Sequence, residues 1–500
     1  MPDKRTQINW KNLWIAIGIV QLSLFLSIYV SAAEDPWVSS FAAERTVSVS
    51  DPDSLNKAID KAKSGDLIEL DAGNYQGFFK LSKHGTAASP IVLRAKKGAH
   101  VTIEGGILMQ GDYTWIWDLE VTDPHNLALG KGPNGAVTLG CQGCRIINCV
   151  IHNPADFVTR FKNNISNYGT FNKAGQILYG TIVFQGRHNI YTQHDYSKNG
   201  YEYFVNNIIV NPQQKPGAAD AFTFHAYGSS NVHLSGYYLK SNVFNGRTII
   251  GGAGYPVSNV IAENNEYYDS TPQFGYAKNG ISQYKFKNNF VARSTLEVQR
   301  TWGADDPNFT QETNTEITGN TFVYPRDGKH INFQTTDSNG CLGCPKLNAA
   351  DKVDENHYSK PVLFVFKAGN ESGSSRTLEK WKRLTAAAGN AYDTNSSEID
   401  NLTEPRIVIF PNAYDPDLPH FVVYNWNKAQ THIDVNLGTV LKSGQFFEVY
   451  DYRNIWSNPV VTGQFKGDSV SIPTPDEFNI LVVRIKTGPP LPLQTQTKPN

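Results

Sequence analysis

The pattern of apolar positions predicts one helix followed by many short strands. An amphipathic helix is indicated by apolar residues at i, i+3, i+4 and i+7: Leu55, Ala58, Ile59 and Ala62. Asp53 or Ser54 would cap its start, and the turn at 64–66 would end it. The strand candidates that follow are Leu67–Leu70, Phe78–Leu81, Ile91–Ala95 and Val101–Ile103.

An internal repeat runs from about residue 140 to 325. An asparagine followed by apolar or aromatic residues recurs at Asn148, Asn207, Asn242, Asn265, Asn289 and Asn320. The last five are 35, 23, 24 and 31 residues apart, and a base period near 23 fits one rung of a solenoid built from three short strands. We expect each asparagine to occupy a tight turn in left-handed geometry and to stack on the next as an amide ladder.

Two other all-β folds fit this repeat less well. Propeller blades need about 40 residues. A β-sandwich needs hairpin turns between paired strands, whereas Asn245-Gly246 and Asn279-Gly280 recur with the rung. The predicted fold class is therefore all-β: a parallel β-helix with an N-terminal cap helix.

The predicted organisation has five parts. Residues 1–33 are a targeting segment, 50–340 a parallel β-helix, 341–403 an irregular or helical connector, 404–486 a β-sandwich, and 487–500 a disordered tail. The sandwich is predicted from seven short strands: Arg406–Phe410, Phe421–Asn425, His432–Leu437, Phe446–Tyr450, Val460–Phe465, Ser469–Ile472 and Ile480–Ile485.

The N-terminus has the pattern of a signal peptide. Basic residues precede the apolar stretch Leu13–Ala33, which ends in Ser31-Ala32-Ala33. An uncleaved membrane anchor is the alternative, because the stretch is long enough to span a bilayer. In both cases we expect the rest of the chain to be secreted or extracytoplasmic, in the periplasm or on the cell surface. Membrane contact would occur only through this segment, if it is uncleaved.

Net charge limits the classes of partner, and cysteine content limits the covalent or metal bonds that the chain can form. The formal net charge is −1, which excludes a global basic field for nucleic acid. Two C-x-x-C pairs, Cys141/Cys144 and Cys341/Cys344, accompany Cys149. In an exported protein disulfides are the default, with a four-thiolate zinc site or free buried thiols as alternatives. An odd count leaves at least one cysteine unpaired within the chain.

Several sequence blocks resemble secreted right-handed parallel β-helix proteins, the superfamily of pectate lyases and chondroitinase B-like polysaccharide lyases. The blocks that resemble the cap helix and first rungs are Ser54–Ile59, Ser64–Leu70, Gly73–Tyr75, Gly85-Thr86, Ser89–Ala95 and Val101–Gly105. Blocks similar to bacterial exported β-helix repeat proteins are Ile190–Gln193, Phe224–Ser229, Gly251–Gly254 and the stretch from Trp381 to Ser396. The Lys and Arg-His-Gly that chondroitinase B-like lyases carry on successive rungs are not found in this chain. The resemblance covers about 50–486 and implies the fold more closely than the activity, since the fold hosts lyases, hydrolases, epimerases and matrix proteins.

Aligning the rungs on the repeated asparagine brings candidate site residues together. It places Gln193, His225 and Gly251 in one column and His194, Ala226 and Gly252 in the next. Because strand residues alternate between faces, we expect either Gln193 or His194 to face solvent, with Tyr191 and His225 on the side of Gln193. The glycines would leave an open groove for a sugar ring.

These residues favour cleavage of an acidic polysaccharide by β-elimination. An arginine or Ca²⁺ would neutralise the uronate carboxylate, and a basic side chain would remove the C5 proton. The candidate catalytic residues are His194, His225, Arg247 and Tyr191; the candidate substrate-binding residues are Gln193, Tyr227, Arg300 and Trp302.

Two other functions remain open. One is a non-catalytic glycan-binding or surface matrix protein. The other is a glycoside hydrolase, which needs two carboxylates about 5–9.5 Å apart. The acidic residues of the central rungs show no close pair with repeat spacing: Asp195, Asp220, Glu263, Glu266, Asp269 and Glu297. A calcium cofactor is possible, and the polymer and the oligomeric state are left open.

Overall fold

The computed structural model describes most of the chain from residue 38 onward. The described ranges are 38–124, 135–153, 163–167, 175–186, 188–194, 200–211, 222–228, 234–252, 257–276, 280–299, 315–326, 328–334, 351–368, 371–375, 377–387, 391–428 and 430–488. The predicted targeting segment and most of the predicted tail lie outside these residues.

Three long sheets wind around one core, and the chain visits them in turn. Each contains twelve strands among the described residues. All pairings between residues 135 and 334 are parallel, and rung follows rung, as in Phe204 beside Leu239 and Leu239 beside Ala262. The predicted parallel β-helix is confirmed. The last pairing of the third sheet, between Phe364–Ala368 and Glu371–Ser375, is antiparallel.

The strands of each sheet follow in chain order. The first sheet contains Arg45–Val49, Asp66–Leu70, Ile91–Ala95, Thr114–Trp117, Arg145–Ile147, Ile177–Tyr179, Glu202–Val205, Ser235–Lys240, Ser258–Glu263, Tyr284–Lys287, Thr315–Thr318 and Lys352–Asp354. The second contains Gly73–Gln76, Val101–Glu104, Glu120–Thr122, Val150–His152, Ile182–Phe184, Ile208–Val210, Val243–Asn245, Glu266–Tyr268, Phe290–Ala292, Thr321–Val323, His357–Ser359 and Ser397–Ile399. The third contains Phe79–Leu81, Ile107–Met109, Gly135–Leu139, Asn163–Asn167, His188–Thr192, Phe222–Gly228, Thr248–Gly252, Pro272–Phe274, Leu296–Gln299, Ile331–Gln334, Phe364–Ala368 and Glu371–Ser375.

Helix α1 (Pro52–Asp60) covers the N-terminal end of the core with Leu55 and Ile59. The predicted cap at Asp53 or Ser54 is wrong: Asp51 is the N-cap and forms a reciprocal capping box with Ser54. Pro52 explains the earlier start, because its fixed backbone angle and missing N–H suit the first helical position.

The predicted amide ladder is confirmed from Asn207 to Asn320 and extends one rung further, to Asn356, but it does not include Asn148. Buried side chains donate from Nδ2 to the Oδ1 of the next asparagine along the column Asn207, Asn242, Asn265, Asn289, Asn320 and Asn356, at 2.9–3.1 Å. Each Oδ1 also accepts the preceding asparagine's backbone N–H, as in Asn242 to Asn265 at 2.9 Å. The ladder therefore satisfies the buried backbone at this corner.

The left-handed residue is not the ladder asparagine but the residue before it. Positive φ angles occur at Asn206, Ser241, Asn264, Asn288 and Gly319. The preceding residue turns the corner, so that the ladder residue can point its amide inward. Asn148 is itself left-handed (φ 50°), and Cys149 takes the ladder position on that rung.

The β-helix does not end at residue 340. Its sheets continue through Lys352–Asp354, His357–Ser359 and Ser397–Ile399, so the predicted connector 341–403 contains the last rungs. Asn320 and Asn356 are 36 residues apart, and this long spacing hides the repeat in the sequence. Helix α2 (Leu378–Ala387), which lies in the predicted irregular or helical connector, buries Trp381 against the end of the core.

A second compact unit begins at Glu404. Its seven predicted strands are observed, in two antiparallel sheets with a core of their own. The five-stranded sheet has the order Arg406–Phe410, His420–Tyr424, Phe478–Lys486, Phe446–Asp451 and Val461–Gln464; the two-stranded sheet pairs His432–Asn436 with Ser469–Pro473. A short 3₁₀ helix covers Tyr452–Asn454. In the described part of the chain, no helix has the length and apolar character needed to cross a membrane.

Candidate active site

The outward face of the third sheet carries a contiguous group of rings, here called the imidazole–aromatic patch: His188, Tyr191, Phe222, His225 and Tyr227. Their neighbours Ile190, Phe224 and Ala226 point into the core instead. The ring of His225 stacks on Phe222 at 4.2 Å and lies 5.3 Å from both Tyr191 and Tyr227. His188 packs edge-on against His225 at 4.7 Å.

The predicted column of Gln193, His225 and Gly251 is wrong by two residues. His225 pairs with Tyr191 on one side and Ile249 on the other, while Gly251 pairs with Tyr227. The connection between second and third sheets varies in length, so an alignment on the ladder asparagines does not fix the third-sheet register. The slip of two keeps each side chain on its predicted face, because strand residues alternate.

Gln193 and Tyr191 lie on one side, as the alternation predicts. The Gln193 amide donates to the Tyr191 hydroxyl at 3.1 Å and to the Tyr227 carbonyl at 2.9 Å. Gln193 therefore links two rungs of the patch, and four predicted site residues (Tyr191, Gln193, His225 and Tyr227) lie together.

His194 does not belong to this group. It is 0% exposed, its Nε2 donates to the Gly200 carbonyl at 2.6 Å, and its backbone N–H donates to the Tyr237 hydroxyl at 2.9 Å. Since Gln193 points outward, its neighbour must point inward. His194 therefore points to the buried side of the sheet, away from the patch.

The glycine column does not form an open groove. A Cβ atom on Gly251 would lie 2.5 Å from the Tyr276 Cβ, so Tyr276 occupies that space. Tyr276 also packs edge-on against Tyr227 at 5.8 Å.

The open space lies instead where the second sheet turns into the third. A cleft of about 330 Å³, here called the corner cleft, is lined by Asn211, Asn245, Gly246, Arg247, Asp269, Thr271, Gln273, Glu297 and Arg326. Gly246 has φ +107°, and a Cβ there would meet the Thr223 hydroxyl at 2.2 Å. That hydroxyl donates to the Asn245 carbonyl, so the chain can turn into Arg247 only with glycine at 246.

Arg247 connects the cleft to the patch. Its guanidinium lies over the Phe222 ring at 4.7 Å and donates to the Gln273 Oε1 at 3.4 Å. Phe222 is therefore flanked by Arg247 and by His225. No carboxylate among the described residues forms an ion pair with Arg247.

Two carboxylates also line the corner cleft. Asp269 pairs with Arg326 at 2.9 Å, and Glu297 stands beside Gln273 on the adjoining strand. The sequence pattern points to both acids but does not bring them together, and it gives no sign of Gln273 or Arg326 as site residues. Counting residues from the ladder would have paired Gln273 with Glu297. Gln273 follows Asn265 by the same number of residues as Glu297 follows Asn289, so the two occupy the same position on successive rungs.

Arg300, Trp302, Cys341 and Cys344 lie outside the described residues. Cys141 and Cys144 form a disulfide, which leaves neither as a zinc thiolate. The free Cys149 is buried, and burial raises the pKa of its thiol to about 12. Within the described ranges, no three His, Cys, Asp or Glu side chains come together in a way that could hold a metal ion.

A separate titratable cluster lies on the second sheet. Glu120 accepts hydrogen bonds from His100 at 2.6 Å, His152 at 2.7 Å and Thr102 at 2.9 Å. Burial alone would raise the pKa of Glu120, but these hydrogen bonds outweigh it and hold the pKa far below the usual value. The cluster stabilises the neighbouring rungs and is remote in sequence from the corner cleft.

Comparison with known proteins gives a family similarity for part of the chain. The PL6 family alginate lyase AlyGC has a TM-score of 0.42 and 14% identity, covering 74% of this chain and 54% of that chain. A mannuronic acid specific family 6 polysaccharide lyase from human gut microbiota has values of 0.39 and 14%, covering 64% and 80%. Pectate lyase Pel9A has values of 0.33 and 14%, covering 55% and 81%.

The chain spans about half the length of AlyGC. No curated protein matches the chain by sequence. The model of the chondroitinase B family matches residues 49–248, which is less than half of the chain. Over those residues this parallel β-helix protein is similar to the chondroitinase B family.

Proposed function

We propose that this protein cleaves an acidic polysaccharide by β-elimination, with the corner cleft as the binding site. The observation that carries the proposal is Arg247, a cation in a polar cleft that forms no ion pair with a carboxylate among the described residues. The similarity of residues 49–248 to the chondroitinase B family supports it further.

Arg247 would bind the uronate carboxylate. Phe222 supports the guanidinium from one face and Gln273 fixes one of its nitrogens. A guanidinium held in this way can donate two parallel hydrogen bonds to a carboxylate. Withdrawal of charge from the carboxylate makes the C5 proton easier to remove.

His225 is the candidate base, because it shares Phe222 with Arg247. Its imidazole would take the C5 proton as the C4–C5 double bond forms and the C4–O bond breaks. The departing oxygen needs a proton, and the Tyr191 hydroxyl, on the ring 5.3 Å from His225, can supply it. The products would be one unsaturated uronate end and one free hydroxyl end.

The test is incubation with a panel of uronate polymers, with and without Ca²⁺, while the absorbance of unsaturated ends is followed. Arg247→Ala should lower kcat/KM by about 100-fold or more, because it removes a positively charged hydrogen-bond donor positioned for the substrate carboxylate. Arg145→Ala is the matched control, since Arg145 stacks on Trp115 at 4.4 Å in the same way but on the first sheet. If no polymer yields unsaturated ends, elimination is wrong.

Hydrolysis is the second candidate, because Asp269 and Glu297 line the same cleft. A hydrolase would release saturated ends without the new absorbance, and Glu297→Gln would abolish activity while His225→Ala would not. Analysis of the products by mass spectrometry separates the two reactions, since hydrolysis adds one water.

We also propose that the protein is exported and meets its polysaccharide outside the cytoplasm. The basic, apolar and small-residue pattern of residues 1–33 supports this. The mass of the mature protein tests it: a signal peptide predicts a chain that begins near Glu34.

A further inference from the structure

The corner cleft contains a second guanidinium that the proposed reaction does not use. Arg326 donates from Nη2 to the Asp269 Oδ1 at 2.9 Å, and the side chains are 56% and 45% exposed. Among the described residues Asp269 is the only carboxylate that pairs with Arg326.

The Arg326 guanidinium lies beside a carboxylate whose residue is one rung from Arg247. Asp269 directly follows Glu266–Tyr268, which pairs with Val243–Asn245, and Arg247 comes two residues after that strand. Asp269 is therefore one rung, about 4.8 Å, further along the axis than Arg247. Arg326 follows a strand two rungs further on, and its side chain reaches back to Asp269. A single sugar unit lengthens a polysaccharide by a similar step.

The pair between Arg326 and Asp269 leaves Arg326 able to bind a ligand. A partly exposed ion pair adds little stability, because both ions keep part of their hydration and solvent screens their attraction. A guanidinium carries five N–H donors, and the observed contact uses one nitrogen. A substrate carboxylate can therefore bind beside Asp269 or replace it.

We propose that Arg326 is a second carboxylate-binding residue, so that the cleft selects polymers with acid groups on adjacent sugar units over polymers in which acidic and neutral sugars alternate. This rests on the proposed function, since it assumes that Arg247 binds the first carboxylate. Asp269 holds Arg326 over the cleft and offsets its charge until the polymer is bound.

The test measures binding by calorimetry in a His225→Ala background, which slows cleavage. The ligands are tetrasaccharides: oligogalacturonate and oligomannuronate, with an acid on every unit, and a hyaluronan tetrasaccharide, in which glucuronate alternates with N-acetylglucosamine. The background protein should bind at least one homotetramer about tenfold more tightly than the hyaluronan tetrasaccharide. Arg326→Gln should abolish the difference, and Arg326→Lys should restore part of it.

Two charge variants sharpen the test. Asp269→Asn should strengthen homotetramer binding, because it removes the competing carboxylate. Glu316→Gln is its matched control: it leaves Lys287, its partner at 3.1 Å on the first sheet, without an ion pair and should not change binding.

The outcomes separate this inference from the proposed function. If Arg326→Gln keeps the preference, or if no preference exists, the role of Arg326 is overturned whatever the enzyme assay shows. If a preference that depends on Arg326 is found but the intact protein yields no unsaturated ends, elimination fails and the second subsite stands. If no tetrasaccharide binds, both are overturned.

Discussion

At the scale of single residues, Asn265 shows how one amide holds three rungs together. Its Nδ2 donates to the Leu239 carbonyl at 3.0 Å and to Asn289 Oδ1 at 3.0 Å. Its Oδ1 accepts the backbone and side-chain N–H groups of Asn242. All of these groups are buried, so none can turn to water instead.

Asn265→Ala should therefore lower the free energy of unfolding of the β-helix by about 3 kcal/mol, because it leaves buried donors and acceptors without hydrogen-bond partners. Urea unfolding measures the change. Asn264→Gly is the control, since Asn264 has φ 56° and glycine accepts that geometry without strain. Equal losses for the two variants would contradict the role of the ladder.

His330 makes the β-helix sensitive to acid. The residue is 0% exposed, and burial lowers its pKa to about 4 from the usual 6.5. Between these values the unfolded chain binds a proton that the folded chain does not, so stability falls as pH falls. From about pH 7 to about pH 5, the loss should be about 2 kcal/mol.

Unfolding curves of the wild type and of His330→Gln at both pH values test this prediction. The variant should show a smaller pH dependence in the β-helix transition. His420, whose pKa burial lowers to about 3, acts in the same direction but belongs to the C-terminal unit, so the two transitions must be followed separately. An unchanged slope in the variant would assign the acid sensitivity to other groups.

At the scale of elements, α2 closes the C-terminal end of the β-helix through one buried carboxylate. Asp393 accepts hydrogen bonds from Trp381 Nε1 at 2.7 Å, Tyr358 Oη at 2.9 Å and Ser396 Oγ at 2.6 Å. Burial raises the pKa of Asp393, although these hydrogen bonds act in the opposite direction. The Trp381 ring also stacks on Phe364 at 4.8 Å.

Trp381→Phe keeps the stacking but removes one donor from Asp393. We expect it to lower the free energy of unfolding by about 2 kcal/mol and to increase hydrogen exchange in the last rungs. Lys380→Ala, at an exposed position of the same helix, should change neither quantity. Equal exchange in the two variants would show that α2 does not depend on this contact.

The sequence predicts those features of the β-helix that depend on residue type. The ladder needs an amide at one corner of each rung, so the asparagine repeat reveals the rungs. It does not reveal which residue is left-handed, because asparagine suits both positions, as Asn206 and Asn207 show. Nor does it fix the register of the third sheet, where connections of unequal length precede Tyr191, His225 and Ile249.

For the candidate site, the sequence predicts which residues share a face of the sheet but not which side chains contact each other. The sequence predicts one common face for Tyr191, Gln193 and His225, and this holds because alternation survives a slip of two residues. The contact between Arg326 and Asp269 could not be foreseen, since it joins residues two rungs apart through a long side chain. The buried position of His194 follows from alternation once Gln193 is known to point outward.

At the scale of the whole molecule, the family similarity and the corner cleft overlap only in part. The matched residues end at 248, directly after Arg247. Asp269, Gln273, Glu297 and Arg326 all follow it. The groups that would decide the choice of polymer therefore lie in the part of the chain that the family model does not match.

The two compact units should unfold separately. Each has its own hydrophobic core, one running from Val49 to Tyr392 and the other from Ile409 to Val483. Calorimetry should show two transitions, and a core substitution such as Val449→Ala should shift only one of them by about 2 kcal/mol in stability. A single transition shifted by substitutions in either unit would show that they unfold as one.

The chain of amides also sets the unit by which this molecule can gain or lose length. From Asn265 to Asn288 the polypeptide makes one full circuit of the β-helix and returns to the same corner. Asn289 there presents the same side-chain amide as Asn265 and accepts its hydrogen bonds. Removing that circuit would seat Asn289 against Asn242 with every donor still matched. Duplication or loss of whole circuits would therefore preserve the amide ladder. A gain or loss of a few residues would preserve it only if it fell in the connections between sheets.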